Sequence, residues 1–347
     1  MRIVVYYFFK VVIKTGLFFY SQKIKVNGAN KIPKDGAVLF TSNHPNGLID
    51  PLLIATHIKR KTHFLVRAAV FKNKLVASFF DLLGMMPVYR IRDGVNQLSK
   101  NEAIFNKCEQ ILKSEGSLLI FPEGTHNKKR TIRPLSKGFT RIIFQTLDNT
   151  PSLQLYIVPV GITYQNIANY PAKVALNFGS PIDTSIYTKK ENRFEATKEI
   201  KDHVSEELKK LIVHIPEDEN YEDKLQMLNN ARIDFTQTKT INKYLNSSAA
   251  LPPAKKTINY IAPLLFLIKL NSIIPYSIWK LVSRKIDEVE FIDTFRFGFN
   301  IILFPLFYLI QSFLISLFFD QTIGLYYLLC SFIIVLCYSK FSSIYPK

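Results

Sequence analysis

Between residues 35 and 215, short apolar runs alternate with stretches whose apolar positions recur every three or four residues. The runs at 37–41, 63–66, 86–89, 118–121, 155–160 and 174–178 have the length and composition of strands. The stretches at 51–59, 71–83, 95–114, 136–147 and 193–212 have the look of helices with one apolar face. Within 95–114, Ser99 and Glu102 stand in capping-box spacing, and Phe105, Cys108, Ile111 and Leu112 form an apolar stripe that Gly116 brings to a stop. Strands and helices alternating at these lengths predict an α/β sheet with helices packed on its faces.

The pattern changes on either side of this region. Residues 1–20, MRIVVYYFFKVVIKTGLFFY, predict a helix with Lys10 and Lys14 on one face. A span would leave two lysines in mid-bilayer, so a helix lying in the membrane surface is expected. No small-residue cleavage site follows it, which argues against a signal peptide. Residues 216–256 are polar and charged and predict a helical arm with a linker. Beyond them, 297–319 runs 23 residues without a charge and 321–339 another 19. At about 1.5 Å per residue each is long enough to cross a hydrocarbon core of ~30 Å. Only Asp320 is charged between them, which predicts a transmembrane helical hairpin. Arg284, Lys285 and Arg296 before the hairpin and Lys340 and Lys347 after it place both ends on the cytoplasmic side. The weaker stretch 258–282, interrupted by Lys269, Asn271 and Pro275, reads as interfacial or re-entrant. Four regions result: a membrane-associated helix at 1–24, an α/β domain at 25–215, an arm and linker at 216–256, and a membrane region at 257–347.

Composition sharpens the membrane reading. Hydrophobic residues make up 48% of the chain, yet Lys plus Arg number 45 against 27 acids, a formal net charge of +18. The two properties together suit a protein held against an anionic bilayer face, where each nearby Lys or Arg contributes about 1 kcal/mol. Nucleic acid would be the other partner for such charge, but no helix-turn-helix, RNA-binding or zinc-finger signature is present, and none is expected to bind. The three cysteines form no CxxC, so neither structural zinc nor a disulfide scaffold is indicated, and Cys108 reads as a core residue in a reducing compartment.

Three segments carry candidate chemistry. In Asn43-His44-Pro45-Asn46-Gly47-Leu48-Ile49-Asp50, the histidine and aspartate are six positions apart, about 240° around a helix. They can meet only if the segment folds back, and Pro45, Asn46 and Gly47 supply turn chemistry for that. A carboxylate on one ring nitrogen would fix the tautomer and leave the other free to take a proton from an alcohol. Asp50 directly precedes Pro51, so it also reads as a helix N-cap followed by proline, and one carboxylate can serve both ends. In LLIFPEGTHNKKRTIRPLSKGF a strand runs into Pro122, Glu123, Gly124 and Thr125. A cationic tract follows, with Lys128, Lys129, Arg130, Arg133, Lys137 and Arg141 and no acid among them. That is a plausible anion site or a solvated basic loop. Arg90 and Arg92 follow a short strand, where a planar guanidinium matches phosphate oxygens.

Together these segments resemble the glycerolipid acyltransferase superfamily, which includes lysophosphatidic acid and glycerol-3-phosphate acyltransferases. Its four blocks appear in order: residues 43–50 stand as the NHxxxxD block, a second block ends in Arg90, FPEGT stands at 121–125, and Val-Pro-Val-Gly at 158–161. The resemblance spans about 25–215 and implies a mixed α/β sheet flanked by helices. It implies that His44 is the general base and Asp50 its orienting partner, in a direct attack on an acyl thioester without an acyl-enzyme. The lack of a GxSxG nucleophile elbow agrees. It further implies that Arg90, Glu123, Gly124 and Thr125 bind the acceptor's glycerol phosphate. Glu123 cannot attract phosphate by charge, so it would bind a hydroxyl or orient an arginine. No metal or cofactor is implied. His126 stands where many relatives have arginine after FPEGT, which shifts phosphate recognition towards Arg90, Arg92 or the basic tract.

The expected activity is a membrane-bound O-acyltransferase in phospholipid biosynthesis. It would move a fatty acyl group from acyl-CoA or acyl carrier protein to 1-acylglycerol 3-phosphate, with its catalytic domain facing the cytoplasm. Glycerol 3-phosphate is the alternative acceptor. A non-catalytic membrane adaptor that binds acyl lipids or carrier protein is the alternative of a different class.

Overall fold

The segment Ala37–Ser42 is buried along its whole length, which is why it reads as an uninterrupted apolar run. In the computed structural model, which describes residues 2–71, 73–89, 99–167, 169–247, 259–288 and 291–344, it lies at the centre of an eight-stranded sheet. In chain order the elements begin with α1 (Arg2–Tyr20), β1 (Ser21–Asn27), β2 (Ala37–Ser42), α2 (Ile49–His57), β3 (Thr62–Arg67) and α3 (Lys74–Leu82). They continue with β4 (Met85–Val88), α4 (Lys100–Lys113), β5 (Ser117–Ile120), α5 (Gly138–Asn149), β6 (Leu155–Tyr164), β7 (Ala172–Phe178), β8 (Ile182–Asp183), α6 (Ser185–Thr188) and α7 (Arg193–Leu211). The strand order is β1-β7-β6-β2-β5-β3-β4, with β8 beside β6. Strands β6, β2, β5, β3 and β4 are mutually parallel, whereas β7 and β8 run antiparallel to β6. The sheet is therefore mixed, as expected.

Alternation along β2 divides the core in two. Val38 and Phe40 face a cluster with Leu17 and Tyr20 of α1 and Ile49, Leu52 and Leu53 of α2. Ala37 and Leu39 face the other side, against Cys108 and Leu112 of α4, Phe139 and Ile143 of α5, and Ile200, Val204 and Leu208 of α7. Cys108 is fully buried, and burial pushes its thiol up to about 12. Gly161, in the Val-Pro-Val-Gly block, lies where α7 presses on the sheet: a Cβ there would come within 2.5 Å of Leu211. The hydropathy pattern missed two strands, the two-residue β8 and the longer β1. Its sequence SQKIKVN is polar because it pairs only with β7 at the sheet edge, where lysines remain partly solvated.

Residues following the sheet form α8 (Tyr221–Asn230) and α9 (Thr238–Leu245) around an apolar cluster of their own, including Tyr221, Leu228, Phe235 and Ile241. Then come α10 (Ala262–Asn271) and α11 (Ile273–Ser283), which meet at 96°, a broken span or a re-entrant loop by composition. At that break the Asn271 carbonyl accepts from Gln311 Nε2 at 3.3 Å, and its side chain donates to Ser331 Oγ at 3.1 Å and accepts from Tyr327 at 2.8 Å, so these polar groups find partners within the helices. Helices α12 (Ile292–Phe318) and α13 (Gln321–Phe341) pack against each other as a hairpin. Asp320 caps α13 by accepting the Thr322 and Ile323 N–H groups. Among the described residues three helices, within α1, α12 and α13, are long and apolar enough to cross a membrane. Lys10 of α1 donates to the Ile58 carbonyl just past α2 at 2.6 Å.

Candidate active site

The carboxyl ends of neighbouring parallel strands are where α/β sheets place ligands, and here both FPEGT and the His44 bend leave the sheet at such ends, after β5 and β2. Asn43 prolongs the sheet with its side chain. Its Nδ2 donates to the Ile162 carbonyl at 2.9 Å and its Oδ1 accepts the Ile162 N–H at 2.8 Å. That pins the residue just before His44.

His44 Nδ1 lies 2.9 Å from Asp50 Oδ2. The same oxygen accepts the Asn46 N–H at 2.7 Å, and Asp50 Oδ1 accepts the Tyr164 hydroxyl at 2.8 Å. With donors on both oxygens, the tautomer that fits is Nδ1–H donated to the carboxylate, leaving the Nε2 lone pair for chemistry. The bend has five residues between His44 and Asp50, one more than the NHxxxxD pattern. It accommodates them by closing on itself: the Asp50 N–H donates to the Asn46 carbonyl at 3.2 Å. The N-cap reading of Asp50 is corrected as well. Leu48 occupies the cap, and Asp50 sits in the first turn of α2 with its carboxylate turned back into the bend.

Asp50 is fully buried, and burial pushes its carboxyl well above the ordinary range. The Asn46 N–H and Tyr164 hydroxyl pull it down, and the charge of Asp293 pushes it up again. Burial outweighs the donors. A desolvated carboxylate with a high proton affinity is a strong partner for an imidazolium forming beside it. Asn46 is held between two carboxylates, because its Nδ2 donates to Asp293 Oδ2 at 2.9 Å. Its Oδ1 is buried and makes no hydrogen bond among the described residues, a penalty of about 1–3 kcal/mol in this kind of site. The two carboxylates impose that orientation.

The second segment meets the first directly. Phe121 stacks on the His44 ring at 3.8 Å with planes 12° apart, and the His126 ring lies 4.2 Å away. The Asn127 N–H donates to the His44 carbonyl at 2.9 Å, tying the two loops together. The His44 side chain keeps 15% of its surface exposed, enough for a substrate to reach it. Gly124 closes a turn by donating to the Phe121 carbonyl at 3.0 Å and holds φ 75°, a left-handed backbone that other side chains resist.

Glu123 is 1% exposed at its side chain and orients an arginine, one of the two roles foreseen for it. Its Oε2 accepts from Arg133 Nε at 3.0 Å, while Arg133 Nη2 donates to the Thr125 carbonyl and hydroxyl at 2.7 and 2.8 Å. Burial raises the Glu123 carboxyl and Arg133 pulls it back. Nη1 of Arg133 makes no hydrogen bond among the described residues, and the side chain is one-third exposed. A guanidinium clamped on two sides with one nitrogen facing out is suited to an anionic oxygen.

The rest of the cationic tract is spent elsewhere. Arg130 donates to the Tyr164 and Gln165 carbonyls and stacks 3.5 Å from the Phe235 ring centre. Lys129 pairs with Glu217, and Arg141 lies over Phe105. The acids that the tract lacks come from distant sequence. Arg90 and Arg92 lie outside the described residues. Thus the structure brings together His44 and Asp50, with Glu123, Gly124 and Thr125 on the adjoining loop. Sequence reasoning took Asn46 only as a turn residue and did not single out Tyr164 or Asp293. No local pattern marks them, because their contacts span up to 247 positions.

Residues 23–163 match the Acyltransferase family model. A 1-acyl-sn-glycerol-3-phosphate acyltransferase of Cocos nucifera is 28% identical over 153 residues, which is 42% of this chain and 46% of that protein. A glycerol-3-phosphate O-acyltransferase of Saccharomyces cerevisiae is 25% identical over 115 residues, 32% of this chain and 15% of that protein. The chain thus spans less than half the length of either curated relative. The crystal structure of the 1-acyl-sn-glycerophosphate acyltransferase from Thermotoga maritima aligns with a TM-score of 0.41 at 20% identity, covering 60% of this chain and 81% of that one.

Proposed function

We propose, from the match of residues 23–163 to the Acyltransferase family model, that this chain transfers a fatty acyl group from a thioester to the hydroxyl of a phosphate-bearing glycerolipid. The observation that carries the reading is the buried Asp50 carboxylate 2.9 Å behind His44 Nδ1, with the ring face packed on Phe121. His44 Nε2 takes the acceptor's hydroxyl proton, and the forming alkoxide attacks the thioester carbonyl. The tetrahedral intermediate collapses with cleavage of the C–S bond, and the imidazolium returns the proton to the departing thiolate. Asp50 stabilises that imidazolium, and no acyl-enzyme forms. Arg133, fixed by Glu123 and Thr125, holds the acceptor phosphate, with Arg90 assigned the same task by its motif position.

The acceptor is 1-acylglycerol 3-phosphate, with glycerol 3-phosphate as the second reading because a glycerol-3-phosphate acyltransferase is among the matched relatives. The donor is acyl-CoA or acyl carrier protein, both of which are anionic and suit the basic chain. The catalytic unit, 25–215, works at an anionic membrane face on the cytoplasmic side, held there by the apolar helices. The test is thiol release by the purified protein in detergent, given the acyl thioester of coenzyme A or of acyl carrier protein with either acceptor. Release that requires 1-acylglycerol 3-phosphate supports the main reading, and release only with glycerol 3-phosphate selects the second. No release with any acceptor would sink both in favour of a binding adaptor.

A further inference from the structure

The bend that carries His44 and Asp50 is fastened to the C-terminal apolar helices. Asp293, in the first turn of α12, is 1% exposed, and donors from three elements converge on it. Its Oδ1 accepts the Tyr20 hydroxyl of α1 at 2.5 Å and lies 3.2 Å from the Arg296 guanidinium on its own helix. Its Oδ2 accepts Nδ2 of Asn46 at 2.9 Å. One residue on, the Thr294 hydroxyl accepts the Leu48 N–H at 3.0 Å. Asn46 thus gives its backbone N–H to Asp50 and its side chain to Asp293, joining the two carboxylates through a single residue.

A helix start favours a carboxylate, but one this deeply buried is costly unless donors surround it, and a span needs none there. Nothing in the packing of α12 against α13 calls for a hydrogen bond to residue 46. What the arrangement does is set the Asn46 peptide, whose N–H aims the Asp50 carboxylate at His44. We infer that Asp293 is a positioning residue for the His44–Asp50 pair, acting through Asn46, so that the first turn of α12 is part of the active site rather than an anchor attached to it. This rests on the acyl-transfer reading above.

Two roles follow for the second carboxylate. It holds the bend, and its charge acts on Asp50, the partner of the imidazolium that forms during the reaction. Among the described residues, Asp50 and His126 lie against His44, and Tyr20 and Arg296 face Asp293.

The test uses the full chain in detergent with Asp293→Asn and, separately, Asn46→Ala. For Asp293→Asn, kcat falls roughly 10–100-fold, the loss that follows a small misplacement of a reacting group. KM for both substrates stays within about twofold. The acid limb of kcat/KM moves to lower pH, since losing the charge that acts on Asp50 makes the imidazolium less stable. Asp293→Glu restores part of that shift, and the double variant loses less than the product of the singles. Hydrogen exchange supplies a readout independent of turnover: residues 43–52 exchange faster in Asp293→Asn while β3 and β5 do not change. Two results overturn the inference. One is wild-type kcat and exchange in Asp293→Asn. The other is a loss of kcat with the acid limb unmoved and exchange rising across the whole sheet, which marks plain destabilisation. If the wild type turns over neither acceptor, the acyl-transfer reading fails by itself, and exchange at 43–52 still decides whether Asp293 holds the bend.

Discussion

Asp50, in the first turn of α2, and Glu123, on the loop that adjoins it, are two nearly inaccessible carboxylates, and they differ in what faces them. Asp50 is met by a peptide N–H, a phenol and an imidazole, none of them a permanent cation. Glu123 is met by the guanidinium of Arg133, and its Oε1 makes no hydrogen bond among the described residues. Burial raises both carboxyls, Asp50 far more, because its burial is more complete, Asp293 pushes the same way, and only Glu123 has a fixed positive charge beside it. The difference teaches how one residue type can do two jobs. A carboxylate without a permanent counter-charge keeps its proton affinity high and strengthens a titrating base. A carboxylate beside an arginine gives up that capacity and becomes a scaffold that aims a cation.

The comparison breaks most sharply at Asp50→Asn. The amide holds the bend but supplies no charge to the imidazolium, so kcat falls roughly 10³–10⁴-fold, the scale seen when an orienting aspartate becomes an amide. Its stability should move the other way. The raised folded-state value means the native protein binds the Asp50 proton more tightly than the unfolded chain does. The stabilisation is therefore complete below the unfolded pKa of about 3.9 and is lost as pH rises through the folded value. At neutral pH the ionised group is a liability, and Asp50→Asn melts at or above the wild-type temperature, as thermal unfolding at pH 7 would show.

A smaller effect, of another kind, is expected at Arg133→Ala. Losing charge-assisted bonds of about 1.5–3 kcal/mol raises the acceptor KM about 10–100-fold while kcat changes little. Steady-state kinetics at varied acceptor and saturating thioester reads the split. If kcat falls in place of the rise in KM, Arg133 does not serve the acceptor phosphate. Least of all, Tyr164→Phe removes one neutral donor from Asp50 and should lower kcat about threefold to tenfold. It also raises the Asp50 carboxyl further, since that hydroxyl holds it down.

How much of this could be read from the chain depended on the range of the interaction. The six strands expected between 37 and 178 all exist, because apolar runs between turn residues report burial locally. His44, Asp50 and FPEGT could be singled out because each is a short run with improbable chemistry. Glu123 was foreseen as a possible orienter of an arginine, but nothing local says that Arg133 among six cations is the one. Asp50 looked like an N-cap because Asp-Pro precedes an apolar stretch; its carboxylate instead turns back to the Asn46 N–H and His44. Tyr164 and Asp293 gave no signal at all. One ends a buried strand and the other begins an apolar helix, and only the fold brings both to the same bend.

The most direct test of the central claim compares the wild type with His44→Ala, purified in detergent and matched for melting temperature. Each is given acyl-CoA and 1-acylglycerol 3-phosphate, and free thiol is followed. Acceptor-dependent release in the wild type that falls about 10⁴-fold or more in His44→Ala is the predicted result. Release that persists undiminished in His44→Ala would contradict it, because no base at that position would then be needed.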